Sequence, residues 1–370
     1  MLVRQQLVKT ISIAFSLMLA VTMTGCDNKN SASETPQTSD NTASVTTKTI
    51  TIEHEQGTTS VPVNPKKVVV LNPATLDTMD ALGINITAVP QTDASLPPFL
   101  SKYESSDYQN AGSLFEPNYE ALSNLQPDLI IAGGRANDAY QKLNEIAPTV
   151  SLTIDSHNFL PSLTQRVEQL GQIFEKQQAA EELINQFKQK VATVKEKATN
   201  QGNAMVILVT GGKMSGYGPG SRFGFIYDEL GFAPATTFAS TGLHGNVINA
   251  EFLLTVNPDW LFVIDRDNAI GRTDSPSAKQ LLDNALIHKT NAWKYNHIVY
   301  LDSASIYIAG GIQTYNILLD QVSDALDQAS TQSDEDVEDE SDDTDTDEDV
   351  IYEEEQDTTQ ADEMTIAGQE

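Results

Sequence analysis

Short apolar runs recur along the chain, separated by stretches with a different spacing. Val68-Val69-Val70-Leu71, Ile84–Val89, Leu129–Ala132, Val150–Leu152, Met205–Val209, Leu261–Ile264 and Ile298–Leu301 have the length and composition of strands. Between many of them lie segments carrying acidic residues, Gln and Ala, which predicts helices. Strands alternating with helices argue an α/β fold with largely parallel sheets. The folded body opens near Thr49, where Ile50 and Ile52 alternate with polar residues.

A different element separates the two groups of strands. Leu163, Val167, Leu170 and Phe174 step by three or four, as do Leu183, Phe187, Val191, Val194 and Ala198. No Pro or Gly interrupts 172–200. The pattern predicts a helix over 163–200, roughly 50 Å long at about 1.5 Å per residue. Such a length does not suit a simple crossover within one sheet and fits a spine between two lobes. Gly171 leaves another reading open, two helices broken at that glycine.

A weak repeat flanks this spine. Pro117-Asn118-Tyr119-Glu120-Ala121-Leu122 leads to Gln126-Pro127-Asp128 and the strand from Leu129. Asn249-Ala250-Glu251-Phe252-Leu253-Leu254 leads to Asn257-Pro258-Asp259 and the strand from Trp260. Each Pro-Asp ends a helix and begins a turn, because proline restricts its predecessor and cannot continue the helical ladder. Helix–turn–strand on both sides of the spine predicts a duplicated architecture, with Glu120 and Glu251 in equivalent places.

The two ends of the chain read differently from the body. Arg4 and Lys9 precede the apolar run Ile11 to Met23, which is short for a bilayer span and has the shape of an export signal. Gly25 then meets Cys26, the single cysteine, as in the cleavage box of bacterial lipoproteins. Cys26 is therefore the expected lipidation site, with an ordinary cleaved signal as the alternative. Residues 26–48 predict a flexible tether. The formal charge is -30, and 19 of the 52 acidic residues fall after Ser333, where no Lys or Arg occurs. Residues 331–370 are accordingly expected to form an acidic, disordered tail. The expected segments are thus a signal at 1–25, the tether at 26–48, an N-terminal lobe at 49–162, the spine at 163–200, a C-terminal lobe at 201–330 and the tail. No basic footprint suggests a nucleic-acid partner. One cysteine excludes an internal disulfide.

Candidate chemistry sits after the strands. Arg135 follows the strand ending at Ala132, Arg266 follows the one ending near Ile264, and Arg222 closes the glycine-rich loop after Val209. Ligands of open α/β sheets gather at those ends. Three guanidinium groups there would attract a multiply charged anion through directed bonds. His244, between Gly242 and Gly245, and Tyr307, beyond the last strand, carry donors suited to a transition metal. Two donors are too few for an iron cage, yet they suit iron that arrives chelated with two positions open. A packed tyrosine and a capping histidine are the alternative. Gly211-Gly212-Lys213 lacks the Ser/Thr ending of a phosphate loop, no dinucleotide fingerprint follows the first strand, and no Gly-x-Ser-x-Gly elbow occurs. Enzymatic activity is not expected.

Taken in order, these stretches resemble the iron-siderophore substrate-binding proteins of bacterial ABC importers, in particular the catecholate-binding subgroup. The resemblance covers about residues 45–328 and rests on both Pro-Asp repeats, Gly220-Ser221-Arg222-Phe223-Gly224, Leu243-His244-Gly245, Asp265-Arg266, Leu281–Leu286 and Tyr300-Leu301-Asp302. It implies two Rossmann-like α/β lobes joined by a single long helix, the class III arrangement, with the ligand between the lobes. It implies that Arg135, Arg222 and Arg266 surround an anionic ferric complex. His244 and Tyr307 would complete the iron coordination of a tetradentate siderophore. Glu120 and Glu251 would dock a dimeric permease coupled to a cytoplasmic ATPase.

The resemblance further implies a monomeric receptor with no intrinsic cofactor, carrying a ferric siderophore. Asp27 after Cys26 resembles an inner-membrane retention signal, which places the anchored protein on the periplasmic face, or on the outer face of a Gram-positive cell. Ser303-Ala304-Ser305-Ile306 departs from the family pattern around Tyr307, and the acidic tail lies outside it. Another metal chelate, a cobalamin-like ligand or haem remain alternative cargoes, haem being disfavoured by the arginines.

Overall fold

The computed structural model describes residues 48–339, except residues 93 and 240. Cys26, the signal segment, all of the tether before residue 48 and the tail beyond residue 339 lie outside the described residues. The chain begins with an antiparallel hairpin, β1 (Thr49–His54) and β2 (Gly57–Pro62). The first lobe then runs through β3 (Val68–Val70), α1 (Pro73–Ala81), β4 (Ala88–Val89), β5 (Gln109–Asn110), α2 (Tyr119–Leu125), β6 (Leu129–Ala132), α3 (Tyr140–Asn144) and β7 (Thr149–Ser151). Its sheet is parallel throughout in the order β5-β4-β3-β6-β7. Strand order reverses between β3 and β6, and the carboxyl ends of that pair open a crevice.

The helical connection expected over 163–200 runs as two helices, α4 (Phe159–Ile173) and α5 (Gln177–Ala198). The break is not at Gly171, which lies inside α4. It falls at Phe174–Lys176, where Glu175 is left-handed (φ 56°) and the Lys176 N–H bonds to the Gly171 carbonyl at 2.8 Å. This closure satisfies the last carbonyls of α4 without glycine or proline. Gly171 instead lets the helices approach, since a Cβ there would lie 2.8 Å from that of Ala180.

The second lobe comprises β8 (Asn203–Thr210), β9 (Lys213–Tyr217), α6 (Phe225–Asp228), β10 (Ala233–Pro234), β11 (Asn246–Ile248), α7 (Ala250–Val256), β12 (Trp260–Asp265), α8 (Arg266–Ala269), α9 (Ala278–Leu282), α10 (Asn291–Lys294) and β13 (Ile298–Tyr300). The sheet order is β11-β9-β8-β12-β13, with β10 beside β8. β9 and β11 run antiparallel to their neighbours, so this sheet is mixed. Part of the glycine-rich segment expected to be loop is thus strand β9. Gly211 and Gly212, both at positive φ, supply the two-residue turn that folds it back onto β8. α11 (Ile312–Asp339) closes the fold and continues past residue 331, where the tail was expected to begin; no Gly or Pro occurs there to stop it.

Burial explains the continuous apolar runs. Val68 and Val70 face the core shared with α4, α5 and α11, whereas Val69 and Leu71 face the outer layer with α2 and α3. Val206, Leu208, Phe262 and Ile264 likewise face the shared core, and Ile207, Val209, Leu261 and Val263 face the outer layer of the second lobe. Helices cover both faces of each sheet, so the period-two alternation separates two buried sets rather than buried from exposed.

Candidate ligand-binding site

The site is assembled by chain segments leaving the carboxyl ends of the strands. After β6 the chain passes between the ends of β3 and β7 at Gly133 (φ 123°). A Cβ there would stand 3.0 Å from the Asn72 amide and 3.1 Å from Thr153 Oγ1, so only glycine fits. Arg135 follows after Gly134. Arg222 is carried by a compact turn in which Ser221 Oγ donates to the Gly218 carbonyl at 2.5 Å and the Gly220 N–H to Asp228 at 2.7 Å. Arg266 opens α8 directly after β12. Tyr307 sits on a single π-helical turn, Ser305–Ala309, between β13 and α11.

All three arginines converge on Tyr307. Arg135 Nη2 and Arg222 Nη2 donate to its main-chain carbonyl at 2.8 and 2.9 Å. Arg266 Nε donates to its phenol oxygen at 2.7 Å. The three guanidinium carbons lie 5.8, 4.7 and 5.4 Å from the ring centroid in the same order. Each guanidinium has five N–H donors, and Tyr307 takes only one from each of the three in these contacts.

Arg135 and Arg222 line a cavity of about 490 Å³, together with Tyr307 and His244. Arg266 does not stand in that wall. It reaches the site through the phenol, its Nη1 held at 3.3 Å from Thr210 Oγ1 and 3.7 Å from Asp267. Of the three arginines expected at the cleft, Arg135 and Arg222 line this cavity and Arg266 is bonded to the Tyr307 phenol beside it. Asp267, the second residue of α8, is buried and accepts from Thr210 Oγ1, the Gly211 N–H and Ser275 Oγ.

The electrostatics are strained by like charge. Arg135 lies below the usual guanidinium range, first because of burial and then because of Arg222, with Tyr307 acting the other way and Arg266 adding to the depression. Burial pushes the Tyr307 phenol up. The Arg266 hydrogen bond and the charges of Arg266, Arg222 and Arg135 outweigh it, leaving the phenol below its ordinary value. An anion in the cavity would relieve the repulsion, and the phenolate is the form able to bind a metal.

His244 lies on an exposed loop that packs over Tyr217, whose hydroxyl donates to the Leu243 carbonyl at 3.4 Å. The cavity wall also contains Phe115 and Leu243, which are 73% and 63% exposed. Sequence reasoning passed over both as contact residues. Phe115 offered one signal, an aromatic residue set among Gly112, Ser113 and Pro117 in a turn. Among the described residues no cluster of three or more His, Cys, Asp or Glu side chains is placed to hold a metal ion, and no helix is long and apolar enough to cross a membrane.

The repeated glutamates are structurally equivalent. Asn118 and Asn249 cap α2 and α7 by accepting the Ala121 and Phe252 N–H groups at 3.0 and 2.9 Å. Glu120 and Glu251 are each the second residue of the helix and are exposed. Each helix ends in a left-handed residue, Gln126 or Asn257. The aspartate of each Pro-Asp then clamps the start of the neighbouring parallel strand: Asp128 accepts from Lys66 and Lys67, and Asp259 from Asn203.

A sequence profile of the family described as Periplasmic binding protein matches residues 68–305. The chain belongs to this family. It is similar to the petrobactin-binding protein YclQ of Bacillus subtilis, with 36% identity over 85% of this chain and 97% of the relative. It is also similar to the ferric-anguibactin-binding protein FatB of Vibrio anguillarum, 32% identical over 85% and 97%. The crystal structure of YclQ superposes with a TM-score of 0.72, covering 75% of this chain and 99% of the other at 38% identity. The catecholate-siderophore binding protein VctP of Vibrio cholerae gives 0.71, covering 74% and 99% at 33% identity. These relatives are named as binding proteins. The two α/β lobes described above are the architecture that the family resemblance implied, while the single long helix it implied runs here as α4 and α5.

Proposed function

We propose that this periplasmic binding protein captures a ferric siderophore with catecholate-type oxygens and delivers it to the permease of an ABC importer. The observation that carries this reading is the convergence of Arg135, Arg222 and Arg266 on Tyr307 at the mouth of a cleft between the lobes. Two of those guanidinium groups present N–H donors to the cavity, where they neutralise and bond the anionic oxygens of a preformed iron complex. Tyr307 and His244 supply oxygen and nitrogen to iron that a tetradentate chelator leaves incompletely coordinated. The iron is cargo, and no turnover is required. The names of the relatives agree with this cargo class.

Glu120 and Glu251 dock the receptor to a permease through two separated charge-assisted contacts, one on each lobe. A lipid on Cys26 holds the monomer at the outer face of the cytoplasmic membrane. The test is equilibrium dialysis of the protein against iron(III) catecholate, citrate and hydroxamate complexes and against cobalamin. Saturable binding strongest for the catecholate is expected. Binding of cobalamin with none of the iron complexes would overturn the reading.

A further inference from the structure

Asp77 lies on α1 in the first lobe, at 0% exposure, and takes no part in the cavity wall. Its Oδ1 accepts the Gln313 N–H at 2.8 Å. Its Oδ2 accepts the Gly311 and Thr314 N–H groups at 3.2 and 3.0 Å and the Thr314 hydroxyl at 2.7 Å. These donors belong to the start of α11, whose first N–H groups have no partner within the helix. A carboxylate is favourable at that end and is an acceptor at every lone pair. The group serving α11 thus comes from the other end of the chain. The Gln313 side chain returns the contact, donating to the Asp77 carbonyl at 2.8 Å and to Asp80 at 3.1 Å.

The same joint reaches Tyr307. Thr314 Oγ1, having given its proton to Asp77, accepts the Gly310 N–H at 3.1 Å. Gly310, left-handed at φ 80°, terminates the π-helical turn that carries Tyr307. Gly311 packs so closely on α1 that a Cβ there would collide with the Ala74 carbonyl and the Asp77 carboxylate. Two hydrogen bonds and one turn of chain therefore connect a buried carboxylate on one lobe to the residue on which the three arginines meet.

We infer that Asp77 is a positioning residue of the binding site: by clamping the first turn of α11 to α1, and through Thr314, it fixes the turn that sets Tyr307 against Arg135, Arg222 and Arg266. The inference rests on the ferric-siderophore reading of that cleft. Burial pushes the Asp77 carboxyl up to about 6, against the pull of its four hydrogen bonds, so the ionised group at neutral pH costs the fold stability. The carboxylate gathers four donors around the start of α11, which an amide cannot do, its NH₂ being a donor itself.

The test uses Thr314→Val, which removes one hydroxyl at nearly constant shape, Thr314→Ser, which retains it, and Asp77→Asn. Two probes are titrated into each folded protein: an iron(III) complex of a tetradentate bis-catecholate and one of a hexadentate tris-catecholate. Thr314→Val and Asp77→Asn should weaken the tetradentate complex about tenfold or more, and weaken or shift its tyrosinate-to-iron absorption. The hexadentate complex should change less, and Thr314→Ser should behave as the wild type. Hydrogen exchange without ligand should be faster across Ser305–Gly311 in Thr314→Val than in Thr314→Ser. If Asp77→Asn does not fold, the Thr314 pair decides. A wild-type protein that binds the complexes, with Thr314→Val unchanged in affinity, absorption and exchange, overturns the positioning role alone. A wild-type protein that binds neither complex overturns the siderophore reading and this role with it.

Discussion

Arg266 Nε lies 2.7 Å from the phenol oxygen of Tyr307. That bond, with the positive charge of Arg222 and Arg135 nearby, outweighs burial and brings the phenol below its ordinary pKa. A phenol so placed gives up its proton to iron more readily than a solvated tyrosine. Tyr307→Phe keeps the ring and removes the oxygen. It should weaken a tetradentate iron(III) catecholate about tenfold or more and abolish its tyrosinate-to-iron absorption, while a hexadentate complex keeps most of its affinity. His244→Ala should show the same selectivity for the tetradentate ligand. Parallel titrations followed in the visible range check both, and equal losses for the two complexes would contradict direct coordination.

Arg222→Gln should act on every anionic complex, whatever its denticity. A hydrogen bond to a charged group contributes about 1.5–3 kcal/mol, or about ten- to a hundredfold in affinity. Calorimetric titration at low and high salt checks it. The variant should bind more weakly and with a shallower salt dependence, since one cation has left the cleft.

Much of this was legible from the sequence, for physical reasons that differ by residue. The Pro-Asp repeats could be found because each step has a local cause: an asparagine cap, a left-handed helix end, and an aspartate clamping the adjacent strand. The arginines could be found because they follow strands. Strand β9 could not, since Lys213–Tyr217 is short and contains Gly216, and its pairing depends on the Gly211-Gly212 turn. The break at Glu175 was hidden because a non-glycine residue makes the left-handed closure. The bond from Arg266 to the Tyr307 phenol, and its contacts with Thr210 and Asp267, could not be read along the chain because they join separate segments. Asp77 gave no local signal at all: its donors lie more than two hundred residues away.

Glu120 and Glu251 should separate transport from binding. Reversing both charges to Lys should leave the affinity for iron(III) catecholate unchanged, because both residues stand on exposed helices outside the cavity wall. Uptake of radiolabelled iron by cells producing the exported double variant should fall to near background. Normal uptake would contradict the docking role.

Asp77 predicts a pH dependence of stability with a definite sign. Its carboxyl stands at about 6 in the folded protein against an ordinary 3.8. The folded state therefore binds the proton more tightly than the unfolded one. The associated stability is fully present below about pH 3.8 and is lost as pH rises through 6, up to about 3 kcal/mol in all. Asp77→Asn lacks this titration. Thermal melts of both proteins from pH 4 to pH 8 should show the wild type losing ground to the variant as pH rises. The opposite trend would contradict the burial argument.

The central claim is that the arginine cluster recognises a preformed ferric complex. Its most direct measurement is a calorimetric titration of the protein with an iron(III) tris-catecholate, repeated with the iron-free chelator and with an Arg135→Ala, Arg222→Ala double variant. The account predicts one complex bound per chain with a dissociation constant of about 1 µM or tighter. It predicts much weaker binding of the iron-free chelator, and a loss of about a hundredfold or more in the folded double variant. Absence of binding by the wild type, or equal affinity in the double variant, would contradict it.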